Sequence, residues 1–283
     1  MITFLGTGLL GGSFVRALRR RGDPVQVWNR SPEKALALAA CGALPCADPE
    51  AAVRGATRVH LALSDDAAVD EVLALAQPGL APGAVIVDHS TTSPAGAAAR
   101  VARWAGRGIH FQHAPVFMGP VNALESTGLM LASGDRARFD ALAPELEKMT
   151  GKLVWMGPQP ERAAGLKLVG NLFLMAMTTG LVDALALAKG LRIPPAEAGA
   201  LFDHFNPGAM VPARMQRILA GDHAHPSWEL GMARKDARLM LEAAEAGGVP
   251  LAVIPAIAAE MDRFLAQGHA HDDWTVLARD LIR

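Results

Sequence analysis

A lysine and an asparagine stand out in the most apolar segment of the sequence. Lys167 and Asn171 lie four residues apart in the stretch 162–189, so they share one face of a predicted helix. Burial lowers the pKa of an ammonium group, and a carbonyl group that is being reduced needs a proton donor beside its oxygen. The pair therefore indicates general-acid chemistry, with solvent exposure of Lys167 at the first turn of the helix as the alternative.

Other common sources of such a proton are absent or less well placed. The chain contains no tyrosine, so it lacks the Tyr-xxx-Lys acid of short-chain dehydrogenases. Cys41 and Cys46 do not have zinc-ligand spacing, and the His-Ala-His pairs at 223–225 and 269–271 are interpreted as surface loops, so we expect no metal site. His113, just after a predicted strand, is the alternative acid.

The first 31 residues have the pattern of a nucleotide-binding unit. An apolar segment leads into the glycine-rich segment 6–11, and a helical stretch and a second apolar segment from Val25 follow. In such a turn Gly6 permits the tight bend, Gly8 lets the backbone approach a pyrophosphate, and Gly11 or Gly12 lets the helix pack closely on the strand. We therefore expect a dinucleotide cofactor contacted by Gly6, Thr7, Gly8, Leu9, Leu10 and Gly11.

The end of the second predicted strand indicates which dinucleotide is preferred. NAD sites usually have an acidic residue there, whereas this chain has Asn29, Arg30 and Ser31, with Lys34 one helical turn onward. A guanidinium group is a planar, permanently charged partner for a 2′-phosphate, and Ser31 and Lys34 add donors. We expect NADP(H) to be preferred, with NAD(H) possible. A solvated surface arginine is the alternative interpretation of Arg30.

Alternating apolar and alanine-rich segments predict a doubly wound α/β Rossmann domain over residues 1–160. Beyond the first two strands, short apolar runs recur at 58–63, 84–88, 109–114, 128–132 and 152–156. Ligands of such sheets bind at the carboxyl ends of the strands. Leu63 and Ser64 end one predicted strand, and Ser90 and Thr91 follow another, so they are candidate site residues. Turn formation or helix capping is the alternative role of the polar ones.

An all-α domain is predicted over residues 161–283, where long helical stretches are broken at 194–195, 206–208 and 247–250. Its first helix, 162–189, is apolar on nearly every face. Such a helix is expected to be buried at the centre of its domain or in a subunit interface. We therefore expect a homodimer.

The composition does not indicate a nucleic-acid partner or a membrane span. The net charge of −1 provides no basic field for nucleic acid. No apolar run reaches the roughly 18 uncharged residues that a membrane span needs, so we expect no membrane partner. The two cysteines do not form a disulfide framework, and a soluble protein of the reducing cytoplasm is expected.

Several motifs along the chain occur together in one order. They are the segments 6–11 and 29–34, Asp88-x-Ser90-Thr91, Ala114-Pro115-Val116, Gly165-x-Lys167-x-x-x-Asn171 and Lys235-Asp236. In order and approximate spacing they resemble the β-hydroxyacid dehydrogenase family, which includes 3-hydroxyisobutyrate dehydrogenases, glyoxylate and succinic semialdehyde reductases and, more distantly, 6-phosphogluconate dehydrogenase. The resemblance covers nearly the whole chain and implies a Rossmann domain joined to a helical domain that often builds a dimer.

The resemblance also implies roles for particular residues. Lys167 would be the catalytic acid/base, Asn171 would orient the substrate, and Thr91 and Lys235 would contact the cofactor. Leu63 and Ser64 would line the nucleotide, and Ser90 is assigned to the substrate. Without the resemblance, Lys235 has the pattern of a surface residue.

One loop departs from the family pattern. Where the family usually has Asp-Ala-Pro-Val-Ser-Gly-Gly, this chain has His113-Ala-Pro-Val-Phe117-Met118-Gly119. Phe117 and Met118 bring apolar volume and no hydroxyl donor, so the segment Phe117, Met118 and Gly119 is expected to contact a bulkier or less polar substrate. The alternative is that Phe117 and Met118 pack into the core away from any ligand.

The leading hypothesis is an NADP(H)-dependent enzyme that interconverts a small hydroxy acid and its semialdehyde or keto form, with Lys167 as acid/base. A related alternative is an imine reductase, although these usually have Asp or Tyr in place of the lysine. A non-catalytic NADP-binding protein is the alternative of a different class.

Overall fold

The computed structural model describes residues 1–282. The chain divides into two compact units. The first is Met1–Asn171, and the second starts at Leu172. The division falls inside one continuous helix, α8, Arg162–Gly190.

A parallel six-stranded sheet forms the centre of the first unit, with strand order β3-β2-β1-β4-β5-β6. Its strands are β1 Ile2–Leu5, β2 Val25–Trp28, β3 Leu44–Pro45, β4 Arg58–Leu61, β5 Val85–Asp88 and β6 His110–His113. The helices between them are α1 Leu9–Arg20, α2 Pro32–Leu36, α3 Pro49–Val53, α4 Asp66–Ala76 and α5 Pro94–Ala105. The predicted doubly wound fold is confirmed. The order of the strands reverses between β1 and β4, which is where such sheets bind ligands.

Both faces of this sheet are covered by apolar side chains. Phe4 packs in a cluster with Phe14 and Leu18, whereas its neighbour Leu5 packs in a second cluster with Ile86 and Trp104. Successive residues of a strand point to opposite faces, so each short strand contributes to two cores.

A second, three-stranded sheet holds the last strands of this unit. It consists of β7 Val116–Phe117, β8 Leu129–Ala132 and β9 Lys152–Trp155, accompanied by α6 Pro120–Glu125 and α7 Arg136–Leu146. The sequence predicted the segments 128–132 and 152–156 as members of one mostly parallel sheet. That assignment was wrong in sheet membership, because β7, β8 and β9 form a sheet separate from the main one. Within it β8 and β9 pair in parallel, as predicted, and β7 pairs antiparallel with β8.

The second unit is helical, as predicted. After α8 come α9 Pro195–His204, α10 Val211–Ala220, α11 Leu230–Ala246 and α12 Ile254–Leu265. The Asp183 carboxylate on α8 accepts hydrogen bonds from the backbone amides of Ala252 and Val253, both at 2.8 Å, and of Ile254 at 3.2 Å. It thereby satisfies amides at the start of α12 that have no partner within the helix.

Helix α8 leaves much of its apolar surface exposed on the single chain. Leu172, Met175 and Val182 are 70%, 68% and 56% exposed, so the expected burial at the centre of a domain does not occur on this face. By length and composition α8 is also apolar enough to cross a membrane, a property that it shares with the core helices of soluble proteins.

Candidate active site

The glycine-rich turn between β1 and α1 forms a close-packed backbone cradle. Gly6 has a positive φ of 91°, and a Cβ there would lie 2.4 Å from the carbonyl oxygen of Ala62. A Cβ on Gly11 would lie 2.0 Å from the carbonyl oxygen of Gly6, which shows how closely α1 approaches β1. A Cβ on Gly8 would meet no atom within 4 Å, so the space outside this residue is free for a phosphate.

A cavity of about 390 Å³ lies at the carboxyl ends of β1, β2 and β4. Eight of the predicted cofactor residues line it: Gly6, Gly8, Asn29, Arg30, Ser31, Lys34, Leu63 and Ser64. Arg30 and Lys34 are exposed at its edge. A backbone cradle at one end and two cations at the other fit a dinucleotide that carries an additional phosphate.

Asn29 connects the cradle to the end of β2. Its Oδ1 accepts a hydrogen bond from the Thr7 amide at 2.9 Å, and its Nδ2 donates to the Ser31 carbonyl at 3.0 Å. The side chain of Asn29 is thus engaged within the protein, and it fixes the glycine turn against the strand that carries Arg30.

A second cavity continues along the strand ends towards β5. Its lining includes Leu9, Leu10, Gly11, Ser90 and Thr91, and it shares Gly8, Leu63 and Ser64 with the first cavity. Ser90 is buried, and its Oγ accepts from the Leu63 amide at 2.9 Å, which joins the loop after β4 to the loop after β5.

Lys167 is buried near the start of α8, beside Asn171 and Phe117. The residue is only 8% exposed, and its Nζ donates a hydrogen bond to Asn171 Oδ1 at 2.8 Å. The Nζ also lies 4.0 Å from the centroid of the Phe117 ring. Burial lowers the pKa of the Lys167 ammonium group from its usual value near 10.5. A lowered pKa makes the ammonium a better proton donor, which is the property expected of this residue.

The three residues of the unusual loop lie in different surroundings. Phe117 is half-buried beneath the Lys167 ammonium, whereas Met118 packs against the core of the first unit. Gly119 precedes α6, and its amide donates to Asn122 Oδ1 at 2.9 Å. Of the three, Phe117 is the residue that the structure brings to Lys167.

His113, the alternative acid, is enclosed in the sheet. It is 1% exposed, and its Nδ1 lies 3.5 Å from Asp88 Oδ2 on the adjacent strand. A ring without solvent access is poorly placed to protonate a substrate.

Lys235 lies on α11 of the second unit, where its Nζ pairs with Asp236 at 2.8 Å. Across residues 1–282, no group of three or more His, Cys, Asp or Glu side chains is arranged to hold a metal ion.

Some site residues escaped the sequence analysis. Trp28, Glu71, Val72 and Leu75 also line the first cavity. Their positions could have indicated them, because Trp28 ends β2 at the carboxyl edge of the sheet, and Val72 and Leu75 are three residues apart on one face of α4. Gly170 was missed as well. A Cβ there would lie 2.4 Å from Phe117 Cζ, and the sequence has no sign of that long-range contact.

Comparison with known proteins is consistent with this arrangement. Residues 1–157 match the family described as the NAD binding domain of 6-phosphogluconate dehydrogenase, and residues 162–283 match the NADPH-dependent reductive aminase-like C-terminal domain. The 3-sulfolactaldehyde reductase of Escherichia coli (strain K12) is 26% identical over 255 residues, which cover 88% of this chain and 85% of that protein.

A plant relative and a solved structure extend the comparison. Glyoxylate/succinic semialdehyde reductase 1 of Arabidopsis thaliana is 26% identical over 90% of this chain and 89% of its own length. The Streptomyces aurantiacus imine reductase structure has a TM-score of 0.88 at 27% identity and covers 100% of this chain and 99% of its own. The chain therefore belongs to the β-hydroxyacid dehydrogenase family of NAD(P)-dependent oxidoreductases, with a C-terminal domain of the reductive aminase-like type.

Proposed function

We propose that the protein is an NADPH-dependent reductase of small aldehydes or keto compounds, and in the reverse direction a dehydrogenase of the corresponding hydroxy compounds. The observation that carries the proposal is Lys167, an ammonium group whose pKa is lowered by burial and for which residues 1–282 provide no salt-bridge partner. The semialdehyde and aldehyde reductases among its relatives support the substrate class.

Lys167 acts as the general acid in this proposal. The hydride for the carbonyl carbon is the contribution of a bound NADPH. As the C=O π electrons move to oxygen, Lys167 Nζ gives that oxygen a proton and becomes a neutral amine, which solvent then reprotonates. Asn171 Oδ1 accepts one Nζ–H and fixes the direction of the ammonium, so Asn171 orients the acid.

The proposed preference for NADPH rests on the end of β2. Arg30, Ser31 and Lys34 line one cavity with the glycine turn, and a 2′-phosphate there would face two cations. Leu9, Leu10, Gly11, Leu63, Ser64 and Thr91 complete the proposed cofactor contacts. Lys235 is proposed as a further cofactor contact on the basis of its family position.

A second candidate function is imine reduction, which the reductive aminase-like C-terminal domain favours. An iminium substrate is a cation, and it would meet the Lys167 ammonium without a carboxylate to offset the repulsion. We therefore rank carbonyl reduction first.

We further propose a cytoplasmic homodimer. The exposed apolar face of α8 is too large to be left in water, and an apolar cavity of about 380 Å³ in the second unit, lined by Ala176, Leu187, Met240 and Ile257 among others, offers room for a partner. Both cysteines are free, in keeping with a reducing compartment.

The test is consumption of NADPH and NADH with a panel of semialdehydes, 2-keto acids, neutral aldehydes and cyclic imines. We expect NADPH to be consumed with aldehydes or keto compounds. Turnover of imines alone would support the second candidate. Tight NADPH binding without turnover of any compound would identify a non-catalytic binding protein and contradict the proposal.

A further inference from the structure

We propose that Phe117 and Gly170 form a matched pair that selects carbonyl substrates whose group beside the C=O is apolar and uncharged, and that discriminates against carboxylates. The inference rests on the proposed carbonyl reductase function and specifies its substrate class.

The contact between the two residues gives Phe117 its position. Gly170 lies on α8, one turn after Lys167, and a Cβ at this position would come within 2.4 Å and 2.6 Å of Phe117 Cζ and Cε1. Any other residue at 170 would push the ring away from the helix. A glycine inside a helix is less favourable than alanine, and at position 170 its lack of a side chain leaves room for the ring.

Lys167 has few hydrogen-bond donors left for a substrate. An ammonium group has three N–H donors. One is directed at Asn171 Oδ1, and the face of the Phe117 ring lies 4.0 Å from Nζ as a cation–π partner. The remaining donor suffices for the reacting carbonyl oxygen, and Lys167 has no further N–H with which to hold a carboxylate.

The loop beside Lys167 does not supply the missing donors. Residues 115–120 read Pro-Val-Phe-Met-Gly-Pro, so no side chain in this segment carries an N–H or O–H. The Gly119 amide is already used by Asn122 Oδ1 at 2.9 Å. A carboxylate placed against the Phe117 ring would lose water without gaining a hydrogen bond from a side chain of this loop, whereas an alkyl or ester group would bury apolar surface there.

A matched pair of substrates tests this directly, namely succinic semialdehyde and its methyl ester, which differ chiefly in charge. We expect the wild-type enzyme to have a kcat/KM for the ester at least about tenfold above that for the acid. Phe117→Ser should lower this ratio by about tenfold or more, because it adds a hydroxyl donor and space. Phe117→Leu keeps the apolar surface and should keep the preference for the ester.

Two further variants separate specificity from folding. Val121→Ser changes an exposed apolar residue of α6 and should leave the ratio unchanged. Gly170→Ala should lower kcat/KM for both substrates by displacing the ring, and adding Phe117→Leu should restore much of the loss, because the shorter side chain removes the colliding atoms.

The outcomes distinguish this inference from the function on which it rests. Reduction of both substrates with the acid preferred, or a ratio that Phe117→Ser leaves within about twofold, would overturn the inference and leave the reductase function intact. Absence of NADPH consumption with these and all other carbonyl compounds would contradict the proposed function, and the inference with it.

Discussion

Arg30 is exposed at the end of β2, beside Ser31 and Lys34 and at the edge of the cavity that contains the glycine turn. We predict that Arg30→Asp reverses the cofactor preference, because a carboxylate repels a 2′-phosphate and accepts hydrogen bonds from ribose hydroxyls. The ratio of kcat/KM for NADPH over NADH should fall by about 100-fold.

Arg54→Asp makes the same charge change directly after α3, where Arg54 pairs with Glu50, and should leave the ratio nearly unchanged. An Arg30→Asp enzyme with the wild-type ratio would show that Arg30 is only a solvated surface residue.

Single residues also differed in how far sequence could assign them. The contact between Lys167 and Asn171 was predictable from helical spacing, and burial of Lys167 was predictable from the apolar residues around it in the sequence. Gly170 was not, because the atoms that require a glycine belong to Phe117, 53 positions away in the sequence. A close contact between distant segments leaves no local pattern.

At the level of strands, a chain of buried hydrogen bonds crosses the main sheet. Arg58 Nε donates to His60 Nε2 at 2.9 Å, His60 Nδ1 and His89 Nε2 are 2.9 Å apart, and His89 Nδ1 lies 2.8 Å from the Ala114 carbonyl. With both rings neutral, each nitrogen has a partner of the correct kind. Protonation of either ring would place two donors face to face.

These hydrogen bonds between His60 and His89 predict that the protein loses stability in acid. Burial lowers the pKa of His89 to about 4, whereas an unfolded chain has the usual value near 6.5. The unfolded state therefore takes up the proton first, so stability is full above pH 6.5 and falls as the pH is lowered towards 4. From pH 7 to pH 5 we expect His89 to remove about 2 kcal/mol from the free energy of unfolding.

Urea unfolding at both pH values measures this effect. His89→Gln keeps one donor and one acceptor without titrating, so its loss between pH 7 and pH 5 should be smaller than that of the wild type. His225→Gln, on an exposed ring beside Asp222, serves as the control. Equal losses in wild type and His89→Gln would contradict the assignment.

The elements themselves were more predictable than their pairing. Apolar runs bounded by turn residues located the four-residue strands β4, β5, β6, β8 and β9 to within about two residues. The separation of β7–β9 into their own sheet was not predictable, since β7 has only two residues and its partner depends on backbone hydrogen bonds to β8. The two-residue β3 was missed for the same reason.

For the whole molecule, the exposed face of α8 predicts self-association. Sedimentation velocity at micromolar concentration should give about twice the chain mass of 29.7 kDa. The double variant Met175→Glu and Val182→Glu should weaken the dimer by about 100-fold or more, because it places unpaired charges in an apolar interface. Val121→Glu, at an exposed site on α6, should remain dimeric. A monomeric wild-type protein would contradict the proposed dimer.

The assignment of the proton to Lys167 is tested most directly by the turnover of Lys167→Ala. We predict that kcat for the best carbonyl substrate falls by about 100-fold or more while the Kd for NADPH, measured by calorimetry, changes by less than about twofold. Lys148→Ala, a surface lysine paired with Glu145, should match the wild type in both. A Lys167→Ala enzyme that retains kcat within about threefold of wild type would show that the proton comes from another group.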